Sequence, residues 1–131
     1  MSNKKHFQIS QQAVEKLAVR FGTPLLVLSL DEIKKNYKVL KKYMPRVKIH
    51  YAIKANPHPE ILRVMADMGS CFDVASDGEI RTMHDMGVDG GRLIYANPVK
   101  TGVGLEACRS CGVRKMTFDS ASEIEKIKQK L

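Results

Sequence analysis

Short apolar segments recur at near-constant spacing along most of this chain, and this regularity constrains the fold more than any other feature. The segments span roughly 48–53, 71–75, 93–96 and 115–118, and the positions that end them, Lys54, Ala75, Asn97 and Asp119, lie 21, 22 and 22 residues apart. Amphipathic helical patterns lie between them. Strand–helix units at a constant interval predict parallel strands joined by right-handed crossovers. An open doubly wound sheet and a (β/α) barrel both have this organisation. The missing GxGxxG after the first strand disfavours a dinucleotide-binding sheet.

The helices between these segments have clear boundary signals. Pro59 stands in a first-turn position, and the apolar stripe that follows it stops at Gly69. The next helix opens on Ser76-Asp77-Gly78-Glu79 and stops at Gly87, and the last one opens on Ser120-Ala121-Ser122-Glu123. Both tetrapeptides are capping boxes, in which a serine and a glutamate satisfy free backbone amides.

The first 45 residues have a different pattern. A helical apolar stripe is formed by Val14, Leu17, Ala18 and Phe21. Residues 25–30 are predicted to form a strand. A further capping box, Ser29-Leu30-Asp31-Glu32, starts a lysine-rich helix that ends at Pro45. A helix, a strand and a helix are therefore predicted before the repeating units.

The number of units is small for a barrel. A complete (β/α) barrel has eight units in about 250 residues, whereas this chain has 131 residues and about four units. Four parallel strands cannot close, so the outer two would have unpaired edges. We therefore expect a truncated chain that contains part of a barrel.

Charge and hydropathy exclude several functional classes. The net charge is +8, but the basic residues are spread along the chain, and the densest run lies on the lysine-rich helix. A solvated helix face is expected there, and no nucleic-acid partner is predicted. No apolar run approaches the roughly 18 residues of a membrane span. The segment Met1–His6 precedes no apolar stretch, so a cytoplasmic protein without a secretory signal is predicted.

The cysteines and histidines do not form a recognisable framework. Three cysteines are an odd, small number, and the Cys108–Cys111 pair is expected at the end of a helix, just before Gly112. The histidines show no metal-ligand spacing. We predict neither a disulfide framework nor a metal site.

Chemistry is expected at the carboxyl ends of the strands, where barrels place their active sites. Lys54 ends the first strand in a largely apolar segment, and desolvation lowers the pKa of an amine, which suits Schiff-base formation. Alternation places Ala52 one layer below Lys54, and alanine leaves room for a flat ring. On the second strand, Asp73 is an acid in an apolar run and needs a partner such as a lysine or a cofactor. A surface lysine and a structural acid remain alternatives.

Four blocks of sequence resemble one family. The segment Tyr51-Ala52-Ile53-Lys54-Ala55-Asn56 resembles the cofactor-lysine motif of the pyridoxal-phosphate decarboxylases built on the alanine-racemase-type (fold type III) barrel. Three further blocks favour the ornithine/lysine decarboxylase branch. They are Cys71–Ser76 with Glu79-Ile80, Ile94–Lys100 and Met116–Ser120. Order and spacing agree from about residue 23 to the end of the chain.

The resemblance implies an activity and a site. It implies decarboxylation of ornithine to putrescine, or of lysine to cadaverine, in polyamine biosynthesis, with pyridoxal 5'-phosphate bound covalently to Lys54. By the same analogy Ala52, Lys54 and Asp73 line the cofactor pocket, and Glu79 supports it. The complete family member is expected to be a homodimer with shared active sites and a small amino acid as substrate.

The resemblance also implies a division of the chain. Residues 1–30 would lead from a β-rich domain, and residues 31–131 would be the first half of the cofactor-binding barrel. The family's ring-stacking histidine, glycine-rich phosphate loop and pyridine-facing acid would follow Leu131. We therefore expect little decarboxylation by this chain alone. A diaminopimelate decarboxylase-like enzyme, or a non-catalytic relative that binds a partner, remains an alternative.

Overall fold

A computed structural model describes residues 7–131, and in it helices alternate with short parallel strands. In chain order the elements are α1 (Gln11–Phe21), α2 (Leu30–Tyr43), β1 (His50–Ala52), α3 (Pro59–Asp67), β2 (Cys71–Val74), α4 (Asp77–Asp85), β3 (Leu93–Tyr95), α5 (Gly102–Ser110) and α6 (Ala121–Lys130). Short 3-10 turns occupy Ile53–Ala55 and Gly90–Arg92. The segment Met1–His6, for which a secretory signal was not predicted, lies outside the described residues.

The sheet has the order β1-β2-β3, and both pairings are parallel. Each connection passes through one helix, α3 or α4, as the constant spacing predicted. The predicted α/β class and partial barrel are consistent with this arrangement. None of the helices in the described part of the chain is long and apolar enough to cross a membrane.

The predicted helix boundaries are confirmed because they depend on local signals. Ser29, Ser76 and Ser120 cap α2, α4 and α6, each accepting a hydrogen bond from the amide three residues on. Gly69 and Gly87 follow α3 and α4 with φ of +80° and +77°, a conformation that glycine adopts without strain. The paired cysteines lie in the last turn of α5 and at its C-cap, as expected.

The core lies between one face of the sheet and the helices. Phe72, Val74, Leu93 and Tyr95 point to this face and are buried. From α3 and α4, Leu62, Ile80 and Met83 pack against them. The opposite face, which carries the alternate residues of each strand, is only half-buried. One face of the sheet therefore carries the core, and the other remains open.

The strand predicted for 115–118 is wrong in its extent. Met116 pairs with Tyr95 in a single parallel bridge, and Phe118 is exposed. Beyond Tyr95 the chain leaves the strand and bends at Pro98 and Val99, and proline has no amide hydrogen to continue a ladder. The pairing therefore stops after one residue.

The strand predicted for 25–30 is also wrong. Residues 25–29 form no strand, and Leu30 is the first residue of α2. Leu25, Leu26 and Leu28 are exposed. A strand needs a partner for its backbone groups, and no strand within residues 7–131 pairs with this segment.

Candidate functional site

The open face of the sheet brings together residues from three strands. Ala52 is the register partner of Asp73, and Asp73 is the register partner of Ile94. Because paired residues of a parallel sheet share a face, these three side chains form one row across it. All three are half-buried. A small side chain and a carboxylate therefore lie side by side near the carboxyl ends of the strands.

Lys54 stands at the end of β1, but on a turn and not on the strand itself. The strand ends at Ala52, and a 3-10 turn occupies Ile53–Ala55. The Asn56 amide donates to the Ile53 carbonyl at 3.1 Å, and Tyr51 Oη donates to the Asn56 carbonyl at 3.0 Å. These bonds fix the backbone of the turn. The strand was expected to extend to residue 53, with Ala52 one layer below Lys54 on the same face. This expectation is wrong, because β1 ends at Ala52 and strand alternation does not extend through the turn to Lys54.

The side chain of Lys54 is exposed, whereas Ile53 beside it is buried. The apolar setting expected for Lys54 is therefore not provided by residues 7–131, because the apolar neighbours in the motif point into the core. The ion pairs within these residues lie on helix surfaces and around Glu123, so none joins Lys54 to Asp73.

Asp73 lies on the half-buried face, between two buried neighbours, Phe72 and Val74. Its run is apolar because these alternate residues belong to the core. The acid itself keeps access to solvent, so its burial was overestimated from the sequence. Its orientation toward the open face leaves it available to a ligand that lies on that face.

Glu79 acts as a cap on the end of β2. Its Oε2 accepts a hydrogen bond from the Ala75 amide at 2.6 Å, and its own amide donates to Ser76 Oγ at 3.2 Å. The carbonyl of Ala75 in turn accepts from Asn97 Nδ2 at 3.3 Å. The backbone of Ala75 thus connects the Glu79 carboxylate to the loop that follows β3.

A buried charge cluster beside this loop was missed in the sequence. The Lys100 side chain is 0% exposed, Glu123 is 4% exposed, and Lys100 Nζ lies 3.0 Å from Glu123 Oε1. The Lys126 ammonium, followed by hydrogen bonds from Lys100, holds the pKa of Glu123 at about 2, against the opposing effect of burial. The only sequence signal was that Glu123 is the glutamate of a capping box. In the structure its carboxylate also binds Lys100, which is distant in the chain.

An exposed amine follows β1, and a small side chain and a carboxylate lie in register on the open face of the sheet. This arrangement suits a protein that binds an aldehyde cofactor through lysine. The family model for the pyridoxal-binding domain of pyridoxal-dependent decarboxylases matches residues 30–131. The chain belongs to this family.

Individual relatives agree with the family. The lysine/ornithine decarboxylase of Selenomonas ruminantium is 50% identical over 123 residues, which are 94% of this chain and 31% of that protein. The crystal structure of SrLDC in complex with PLP and cadaverine is 49% identical, with a TM-score of 0.92 over 97% of this chain and 33% of that one. The lysine/ornithine decarboxylase of Vibrio vulnificus, complexed with putrescine, is 32% identical, with a TM-score of 0.85 over 93% and 34%. The chain spans about a third of the length of these relatives.

The residues present fit pyridoxal phosphate in their chemistry. An amine that can bind an aldehyde, a carboxylate and a small side chain lie at neighbouring strand ends. Ala52 is half-buried on the open face of the sheet, and its small side chain adds little bulk there. Pyridoxal phosphate is therefore the cofactor that this family and this arrangement support.

Proposed function

We propose that this chain carries the lysine-bearing part of a pyridoxal-phosphate-dependent decarboxylase that acts on a basic amino acid. The observation that carries the proposal is the position of Lys54 in the turn after β1, near the end of the sheet where Ala52 and Asp73 are paired in register. Membership of the pyridoxal-binding family supports the same assignment.

Four residues have proposed roles in this site. Lys54 binds the cofactor aldehyde through its amine. Ala52 leaves space for the ring, and Asp73 places a carboxylate on the same face of the sheet. Glu79 holds the end of β2 through the Ala75 amide. When bound, pyridoxal phosphate supplies an electron sink for the electron pair left by the departing carboxylate.

The substrate class follows from the relatives. They are named for lysine and ornithine, and their structures contain cadaverine and putrescine. We propose ornithine or lysine as the substrate, with putrescine or cadaverine as the product and polyamine biosynthesis as the context. Decarboxylation removes only the α-carboxylate, so the distal amine of either substrate is retained in the product.

We also propose a domain organisation and an assembly. Residues 31–131 are the first half of the barrel, and residues 1–30 lead into it from a β-rich domain. The exposed leucines of 25–28 support this division, since they have the pattern of a strand without its partners. A homodimer with shared active sites, located in the cytoplasm, completes the proposal.

The test is covalent capture of pyridoxal phosphate by the purified chain. Borohydride reduction followed by peptide mass spectrometry identifies the modified lysine, and absorbance gives the half-saturating concentration. We expect modification concentrated on Lys54 and lost in Lys54→Ala. The matched control, Lys38→Ala, removes an exposed lysine of α2 and should leave the capture unchanged. Equal, weak modification of many lysines in all three proteins would contradict the proposed site.

The 131-residue chain by itself is expected to decarboxylate ornithine and lysine poorly. The reason is that Lys54 is exposed here, whereas efficient catalysis needs a preorganised site from which water is excluded. The measurement is chromatographic detection of putrescine and cadaverine after prolonged incubation with pyridoxal phosphate. Sustained diamine production that disappears in Lys54→Ala would show this expectation to be wrong.

A further inference from the structure

We propose that Lys100 is a positioning residue for the candidate site. Its buried ammonium holds the loop after β3 in place. Through Asn97 and the backbone of Ala75, this loop is connected to the carboxylate of Glu79. The consequence for cofactor capture rests on the proposed function, whereas the consequence for the loop does not.

The environment of Lys100 is unusual for a lysine. Its side chain is fully buried, and its Nζ lies within hydrogen-bond distance of three backbone carbonyls and one carboxylate. The carbonyls belong to Asn97 at 3.2 Å, Pro98 at 3.1 Å and Thr117 at 2.6 Å. Burying an ammonium is unfavourable unless it is paired and hydrogen-bonded. The surrounding acceptors therefore specify one position for this side chain.

The Lys100 ammonium connects the two segments at the point where their strand pairing ends. The bridge between Tyr95 and Met116 is a single pair, and the carbonyls of Asn97 and Thr117 follow it on the two segments. Lys100 Nζ binds both carbonyls and so joins the loop after β3 to the fourth segment. This contact therefore links the two segments beyond their single paired residue.

Two residues of α6 also contact Lys100. Glu123 Oε1 accepts from the Lys100 amide at 3.0 Å as well as binding its ammonium. Lys126 Nζ donates to the Lys100 carbonyl at 2.6 Å. Both the backbone and the side chain of Lys100 are therefore held by α6.

The path to the candidate site is short. Asn97, whose carbonyl is bound by Lys100, donates from Nδ2 to the Ala75 carbonyl at 3.3 Å. The Ala75 amide donates to Glu79 Oε2 at 2.6 Å. Ala75 is two residues beyond Asp73 on the same strand end. Displacing the loop should therefore make the backbone of Ala75 more mobile, and with it the carboxylates of Asp73 and Glu79.

The first readout is hydrogen exchange at the Ala75 amide, measured by NMR in the full 131-residue chain. We expect Lys100→Met to accelerate this exchange by about tenfold or more, while the amide of Leu62 in the core of α3 changes much less. The matched control, Lys128→Met, removes an exposed lysine of α6 whose ammonium pairs with Glu125. It should change the Ala75 exchange by less than about twofold.

A second variant keeps the test decisive if Lys100→Met unfolds the chain. Asn97→Ala deletes only the amide that reaches the Ala75 carbonyl. It should accelerate exchange at Ala75 and leave Leu62 unchanged. Unchanged exchange at Ala75 in Asn97→Ala, or in a folded Lys100→Met chain, would overturn the inference. Acceleration of every amide to the same extent would do so too, because it would mark a general loss of stability.

The second readout is pyridoxal phosphate capture at Lys54. We expect the half-saturating concentration to rise by about tenfold in Lys100→Met and in Asn97→Ala, and to be unchanged in Lys128→Met. If the wild-type chain does not capture the cofactor at Lys54, the proposed function fails, and the exchange at Ala75 still decides the positioning role. If the wild-type chain captures it and both variants do so equally well, the positioning role fails alone.

Discussion

At the scale of single residues, the candidate site is arranged by backbone geometry more than by side-chain contacts. Lys54 reaches the open end of the sheet because a 3-10 turn follows β1, and the buried Ile53 anchors that turn. Asp73 faces the open side because its two neighbours occupy the core. The side chains of the candidate site thus lie at positions that alternate with, or directly follow, buried core residues.

Glu123 makes the stability of the chain depend on pH in a specific window. Its pKa is lowered in the folded chain from 4.5 to about 2, so the folded state favours the carboxylate. The resulting stabilisation is fully present above the ordinary pKa and is lost as the pH falls toward about 2. In Glu123→Gln we expect a smaller fall of the unfolding temperature across this window than in the wild type.

Circular dichroism melts at several pH values between neutrality and the lower limit of this window measure that difference. The control variant is Glu125→Gln, which removes an exposed acid of the same helix and should keep the wild-type pH dependence. Parallel curves for the wild type and Glu123→Gln would contradict the prediction.

At the scale of elements, α5 shows how packing overrides helix propensity. An added Cβ at Gly102 meets nothing within 4 Å. At Gly104 it would lie 2.6 Å from Tyr95 Oη and 3.1 Å from Tyr95 Cε1. Tyr95 is buried, so its ring has little room to retreat. A side chain would therefore fit at Gly102, whereas the close approach of Tyr95 excludes one at Gly104.

The two glycines form a matched pair for mutation. Gly102→Ala should raise the free energy of unfolding by about 0.4–1 kcal/mol, since alanine restricts the unfolded chain. Gly104→Ala should lower it by about 1–3 kcal/mol, the usual cost of overpacking. Urea denaturation monitored by circular dichroism measures both. Equal stabilisation by the two variants would mean that Tyr95 moves aside without cost.

At the scale of the whole molecule, the described chain has an open face and unpaired edges. The sheet has three strands, and a line of exposed leucines lies at 25–28. Unpaired strand edges and contiguous apolar surface both favour association. We therefore expect the purified chain to self-associate as its concentration rises.

Leu26 tests the source of this association. It is 87% exposed in a segment without strand partners, whereas Val19 is 89% exposed on α1, whose backbone is hydrogen-bonded. We expect Leu26→Ser to weaken association by about tenfold, the loss that corresponds to one buried leucine, and Val19→Ser to have little effect. Sedimentation velocity over a concentration series measures the change. Equal effects of the two variants would exclude the 25–28 segment as the cause.

The amino-acid sequence alone predicted the capped helices, the alternation of helices with parallel strands, and the candidate lysine. Serine caps, glycine stops and the 21- and 22-residue intervals were sufficient, because helical hydrogen bonds and caps connect residues only a few positions apart. The motif around Lys54 was also visible as a local pattern.

Contacts between distant segments set which apolar segments form strands and which charged side chains are buried. Residues 25–29 and 115–118 have strand-like sequences, but the first finds no partner and the second finds one paired residue. Lys100 and Glu123 lie 23 positions apart and become buried only because the loop after β3 meets α6. Strand pairing and burial depend on contacts between distant segments, and such contacts leave no mark in a local pattern.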